Sequence, residues 1–419
     1  MPWTPGHRRG HHGHMAHETA RQALREPPPP EPLPRAAEVV VIGGGVIGAS
    51  IAFHLAEAGV SDVLVVERDT LASGSSGKPI GGVRAQFSDP LNIRLGQRSL
   101  RAWREFGDRP GADVGLDRVG YLFLLRRDED VAAFREAAAV QRELGVDCRV
   151  VEPREAHRLC PYVDPGAIAA AAHSPGDGFA LPGPAVRGYL RAARGLGVTV
   201  RTHCAVTGFE RDGDALTAVR TSAGTVRTGA VVCAAGAWSG GVAALAGHSL
   251  PVTPLRRQIA LTGPVTPTPP RIPFTLDFAS TLYFHGDNAG GLVLGLSDPR
   301  QEPGFGREFT DEWLEPFRAA AALVAPSLAE LEPAGGGWAG LYEMTPDRNA
   351  LIGEATGPGR FLYATGFSGH GFLQAPAVGE IVRDLYLGRE PFLDVGPLAA
   401  TRFGTEGNRA AVRPEAHII

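Results

Sequence analysis

Three glycines and one acid carry the first chemistry readable in this chain. Gly43, Gly45 and Gly48 stand in GxGxxG spacing within "AEVVVIGGGVIGASIAFHLAEAGVSDVLVVER", residues 37–68, and Glu67 closes the next apolar run. A β-branched run precedes the glycines, a helical apolar pattern follows them, and a second β-branched run leads to the acid, so the stretch reads as a βαβ unit. Gly43 permits the tight turn, Gly45 lets backbone approach a pyrophosphate, and Gly48 allows helix and strand to pack closely. The helix start, with Val46 and Ile47 in its first turn, offers N–H groups and a partial positive charge to phosphates. Glu67 suits hydrogen bonds from a ribose 2′-hydroxyl and repels a 2′-phosphate. NADP is therefore disfavoured, and FAD and NAD remain.

Beyond Glu67 the stretch "RDTLASGSSGKPIGGVRAQF", residues 68–87, replaces the simple return of a nicotinamide domain. Its second Ser/Gly loop adds backbone donors suited to a phosphate or a flavin ring, which favours FAD. Arg84, near its end, carries a planar fork that matches a carboxylate. It holds either a substrate anion or an unidentified acid of the chain. Close to the C-terminus, "GFSGHGFLQAP", residues 366–376, sets three glycines, a serine and His370 ahead of the helical run "AVGEIVRDLYLG".

The elements that position these residues follow from periodicity. Helical patterns ("LNIRLGQRSLRAWREFG", "DVAAFREAAAVQRELG", "PAVRGYLRAARGLG") alternate with strands such as "VTVRTH", "TAVRTSAGTVRTGAVVCAAG" and "GLVLGLSD". Residues 251–300, rich in Pro, Gly and β-formers, read as antiparallel sheet. The first 35 residues hold His7, His11, His12, His14 and His17 among prolines and charges, a composition of a disordered, solvated arm. A formal net charge of −4 gives no electrostatic case for nucleic acid, and 43% hydrophobic residues allow a large core. Cys148, Cys160, Cys204 and Cys233 lack CxxC spacing, so neither a metal site nor a disulfide framework is expected, and a cytoplasmic setting fits. No apolar run reaches the roughly 18 residues of a membrane span.

Four motifs in order, the fingerprint with Glu67, "SGSSGKPIGGVRAQF", "VVCAAGAWS" (231–239) and "GLYEMTPDRNALIG…GFSGHGF" (340–372), give the chain a resemblance to a known family. Over residues 37–395 it resembles the FAD-dependent amine and amino-acid oxidoreductases of the D-amino-acid oxidase superfamily. The likeness is to the sarcosine oxidase type, including sarcosine oxidase and dye-linked proline dehydrogenase β subunits. The resemblance implies an α/β (overall α+β) fold: a Rossmann-type FAD-binding domain and a discontinuous substrate domain on a large, mainly antiparallel sheet. Residues 36–115, 175–250 and 335–395 would form the first and residues 116–174 and 251–334 the second, with a tail from 396 to 419.

It also implies site roles. FAD would meet Arg68, Ser75, Gly81, Gly82, Val206, Ala235, Gly236, Trp238, Gly340, Tyr342, Gly366 and Ser368, besides the fingerprint residues. The N–H groups of Gly369, His370, Gly371 and Phe372 would face the pyrimidine edge of the flavin, where negative charge develops on reduction. Arg84 would hold a substrate carboxylate, His370 would tune charge and geometry, and Tyr283 would face the flavin; His285 and Ser297 share its sheet. Gly340 stands where monomeric sarcosine oxidases carry the cysteine that tethers FAD, and no histidine occurs in "GDGFALPGPAVRGYL", residues 176–190, so FAD is expected to be noncovalent. Leu373 replaces a lysine that supports reaction with oxygen, which leaves oxygen or an electron-acceptor partner as oxidant. The implied activity is oxidation of the C–N bond of an amino acid or secondary or N-methyl amine to an imine by hydride transfer to flavin. A flavoprotein subunit or assembly factor of a hetero-oligomer, or a tailoring oxidase of a larger amino-acid-derived metabolite, remains as the alternative.

Overall fold

The computed structural model describes residues 32–287, 289–357, 359–404 and 413–417. Of the N-terminal arm read from composition, residues 1–31 lie outside this range; Arg35 accepts the Arg227 N–H at 3.0 Å.

The βαβ unit forms where the pattern requires it. Strand Val39–Ile42 runs parallel to Val63–Val66, both wholly buried, with helix Val46–Glu57 between them. Burial on both faces explains why these strands are continuous β-branched runs without alternation. Gly43 adopts φ +120°, and a Cβ there would strike the carbonyl of Ala234, while one on Gly48 would strike that of Gly43. Only glycines let this turn close.

Among the described residues the unit lies inside a six-stranded sheet in the order Leu351–Glu354, Arg360–Thr365, Ala230–Cys233, Val39–Ile42, Val63–Val66, Thr199–Arg201. Its pairs are parallel except the outermost, Leu351–Glu354 with Arg360–Thr365. The last helix, Gly371–Tyr386, and helix Pro182–Gly195 pack on Val46–Glu57.

A second sheet has eight strands in the order Gly337–Met344, Thr253–Leu261, Leu292–Leu296, Leu282–Gly286, Phe274–Asp277, Tyr121–Leu125, Ala170–Ser174, Arg149–Val151. It is antiparallel save where Phe274–Asp277 meets Tyr121–Leu125. Side chains alternate across it. Leu282 and Phe284 join the core made with Phe317 of helix Leu314–Val324, while Tyr283 joins Tyr121, Phe123 and Phe274 in a separate cluster. Gly337–Met344 belongs to this sheet although sequence segmentation groups it with residues 335–395. Its pairing with Thr253–Leu261, which sets Gly340 opposite Arg257, is the reason.

Residues 396–419, read from sequence as a tail, contain two 3₁₀ turns, Gly396–Leu398 and Ala400–Phe403, and a packed segment at 413–417. Glu415, 1% exposed, accepts from Ser88 N (2.9 Å) and Oγ (2.6 Å) and from Asn92 Nδ2 (3.0 Å), and the His417 ring stacks on Phe134 at 4.1 Å. One satisfied carboxylate anchors this segment, so no apolar periodicity announced it. All four cysteines are buried and free. No helix among the described residues is long and apolar enough to cross a membrane.

Candidate active site

One cavity of about 450 Å³ runs from the glycine turn of the first sheet to the tyrosine face of the second. At the turn, a Cβ on Gly45 would lie 2.9 Å from Ser76 Oγ, so a side chain there would crowd Ser76. The helix has no acid in its first turn, and Val46 N donates to Ser76 Oγ at 2.8 Å. Glu67 uses one lone pair of each oxygen on main-chain N–H groups, Gly44 to Oε2 and Asp69 to Oε1, both at 2.8 Å. The remaining lone pairs can accept from ribose hydroxyls. Glycine cradle, acid-free helix start and partly free carboxylate together fit a dinucleotide such as FAD. Trp238 covers this end, with the Arg68 guanidinium 4.1 Å from its ring and Phe305 stacked at 5.6 Å.

At the other end Arg84 is 6% exposed and lies over Phe87 at 4.1 Å. It donates to the carbonyls of Gln86 and His417, and its Nη2 lies 3.3 Å from His370 Nε2. Among the described residues no carboxylate stands within ion-pair reach of it, so carbonyls satisfy its donors without neutralising its charge. Burial pulls the guanidinium pKa down, but an arginine stays protonated. His370 caps the last helix with its ring against Phe87. Burial, then the Arg84 cation, hold its imidazole far below the usual histidine range, so the ring is neutral. Its main-chain N–H, expected from sequence to face the flavin, donates to Phe367 O at 2.9 Å. The reason is the tight turn through Ser368 (φ +50°) and Gly369 (φ +100°), which folds the backbone onto itself before the helix begins.

Tyr342 and Tyr283 form the opposing wall. Tyr283 is 4% exposed and covers Gly295, where any Cβ would strike its ring; a Cβ on Gly369 would come within 2.6 Å of the Tyr342 ring. Burial raises both phenol pKa values, so both hydroxyls keep their protons. Beside them Glu343 accepts from Thr365 Oγ at 2.9 Å, and burial pushes its carboxyl up to about 7. A Cβ on Gly340 would sit 2.6 Å from the Lys78 Cβ, so this position has no room for a larger residue without a shift.

Of the residues that sequence reading placed at the site, Gly48, Gly366, His285 and Ser297 do not line this cavity and the others do. Gly48 serves helix–strand contact, and Gly366 (φ +68°) serves a turn against Thr345 and Leu351. His285 lies off the cavity between Phe179 and Phe274, and Ser297 also lies outside it. Sequence reading missed Ser76, Lys78, Arg257 and the approach of His417 to Arg84. An arginine in the middle of the strand "TPLRRQIAL" was the available signal for Arg257. Nothing local announces His417, whose contact with Arg84 spans 333 residues.

A family model described as FAD dependent oxidoreductase matches residues 38–385. The 4-methylaminobutanoate oxidase (formaldehyde-forming) of Paenarthrobacter nicotinovorans is 30% identical over 398 residues, covering 90% of this chain and 47% of that protein, so the chain spans about half the length of that relative. Sarcosine oxidase subunit beta of Arthrobacter sp is 27% identical over 386 residues, 90% of this chain and 93% of the subunit. Among solved structures, L-proline dehydrogenase from P.horikoshii superposes with a TM-score of 0.83 at 33% identity, covering 90% of this chain and all of that one.

Proposed function

The chain belongs to the DAO family of FAD dependent oxidoreductases, and from that premise we propose that it oxidises the C–N bond of an amino acid or a secondary or N-methyl amine to an imine. The observation that carries the proposal is the single cavity joining a dinucleotide cradle to Arg84, a buried cation with no carboxylate partner among the described residues. FAD, when bound, supplies the acceptor for a hydride from the carbon beside the amine nitrogen.

The protein's residues do the rest. Arg84 takes the substrate carboxylate in place of the His417 carbonyl and so orients the amine. His370, neutral and accepting from Arg84, holds the guanidinium in place without adding a second positive charge beside the amine. Tyr283, Tyr342 and Phe274 exclude water from the reacting carbon. FAD is held without a covalent bond, a reading supported by Gly340 and its crowding against Lys78. Leu373 lines the cavity, and electrons pass on to oxygen or to a partner protein. The four free thiols support a reducing, cytoplasmic setting. Likeness to sarcosine oxidase subunit beta over nearly its whole length supports a second reading, in which the chain is the flavin-bearing subunit of a hetero-oligomer.

Anaerobic bleaching of the FAD-loaded protein by a panel of amino acids and N-methyl amines tests the proposal. Loss of the yellow colour with at least one of them is the expected result. A flavin that dithionite reduces and no amine bleaches would overturn it.

A further inference from the structure

We infer that Arg257 forms a second anion subsite in this cavity and selects amines that carry a second carboxylate besides the one held by Arg84. The inference rests on the reaction proposed above and names its substrate class.

Arg257 lies inside strand Thr253–Leu261, opposite Gly340; Ile259, two residues on, lies opposite Gly295 and lines the cavity. Alternation therefore turns Arg257 to the cavity face, which it also lines. Gly340 opposite Arg257 and Gly295 opposite Ile259 are both glycines, and the space they leave is filled by Lys78 over Gly340 and by Tyr283 over Gly295. The guanidinium rests 5.2 Å from the Tyr342 ring centre.

The hydrogen bonding of this arginine is incomplete. Among the described residues its Nε is buried without a partner, and its Nη1 donates to the Arg256 carbonyl at 3.1 Å. Among the described residues no carboxylate lies within ion-pair distance. Asp298, the carboxylate whose charge acts on it, is held by Arg300 through bonds of 3.0 and 2.9 Å. Lys78 adds positive charge on the same wall. Arg402 provides the contrast: with a side chain 8% exposed, it pairs with both oxygens of Asp347 at 2.8 and 3.0 Å. A cation drawn into a low-dielectric wall is costly unless an anion or a full set of acceptors meets it. Among the described residues Arg84 and Arg257 both lack an ion-paired carboxylate, both line one cavity, and each favours the ionised form of the Tyr342 phenol against the effect of burial. The pyrophosphate cradle belongs to the other sheet, whereas the neighbours of Arg257 are the tyrosines of the substrate wall. A ligand with two carboxylates flanking an amine would neutralise both cations at once.

The test uses the full chain loaded with FAD. Binding of unreactive glutarate and butyrate is followed by calorimetry and by the flavin absorbance, and anaerobic reduction is compared for N-methylaspartate and N-methylalanine. The wild type should favour the dicarboxylate of each pair by roughly tenfold or more, the size of about 1.4 kcal/mol. Arg257→Gln should collapse that preference, and Arg257→Lys should restore part of it. Equal affinity of the wild type for both members of each pair would overturn the inference. So would loss of FAD from folded Arg257→Gln, or an equal weakening of both ligands. Should no amine bleach the flavin while glutarate binding still depends on Arg257, the subsite stands and the oxidase reading falls. Should amines bleach it with no dicarboxylate preference, the reverse holds.

Discussion

Replacing Arg84 with Gln separates a substrate-binding arginine from a structural one. The side chain is 6% exposed and serves three acceptors: the carbonyls of Gln86 and His417 and the His370 ring nitrogen. A buried acceptor left unmet costs about 1–3 kcal/mol, and the Gln amide can still serve one or two of the three. The variant should therefore fold with a lower Tm, a cost that sequence reading alone would not foresee. The effect on substrate is larger. A carboxylate deprived of its cation in a dehydrated pocket loses about 2–5 kcal/mol of stabilisation, or roughly 30-fold to a few thousand-fold in reduction rate at limiting substrate. The assay is stopped-flow flavin reduction under anaerobic conditions, with FAD content from absorbance and Tm from calorimetry on the same samples. A carboxylate substrate is compared with its decarboxylated analogue, which should hardly respond. Arg84→Lys should recover part of the rate, since an ammonium keeps the charge and loses the fork. Equal reduction of wild type and Arg84→Gln by the carboxylate substrate would refute the reasoning, as would loss of FAD from a folded variant.

Three further outcomes are expected. Glu67→Ala should weaken FAD binding by about 1–3 kcal/mol, roughly 5- to 150-fold, because the ribose loses its acceptor and the Gly44 and Asp69 N–H groups lose theirs; unchanged affinity by titration of the apoprotein would mean that the ribose is held elsewhere. Since burial and the Arg84 cation depress the His370 pKa, its ring is already neutral above about pH 5, and the pH profile of flavin reduction should have no limb from it between roughly pH 6 and 7. The rate should instead rise with pH as the substrate amine loses its proton, and a limb near pH 6.5 that vanishes in His370→Gln would contradict this. Acid precipitation should leave the yellow colour in the supernatant, and a yellow pellet would contradict noncovalent binding.

Much of the cofactor end was legible because its signals are local. A turn that must bring Gly43 against Ala234 and Gly48 against Gly43 admits only glycine, so the spacing is printed in the chain. The βαβ unit reads equally well, since burial on both faces demands unbroken β-branched runs. Tyr283 was readable as a sheet residue, and the alternation that separates it from Leu282 and Phe284 gave its face once the sheet was in place.

The substrate end was less legible. Gly337–Met344 follows the sequence of one segment and the hydrogen bonds of another, and pairing with Thr253–Leu261 settled its place. That pairing also made Arg257 a wall residue, which two adjacent arginines in a strand do not announce. The contact of Arg84 with the His417 carbonyl, and the Glu415 anchor beside it, join residues more than 300 positions apart. The sequence by itself determined the dinucleotide turn, the acid that follows it and the family of the fold, because those depend on backbone conformation and on period within a few dozen residues. The tertiary structure alone decided which cations share the cavity and which lack a counter-charge, because neutralisation depends on distances across the chain that no local pattern encodes.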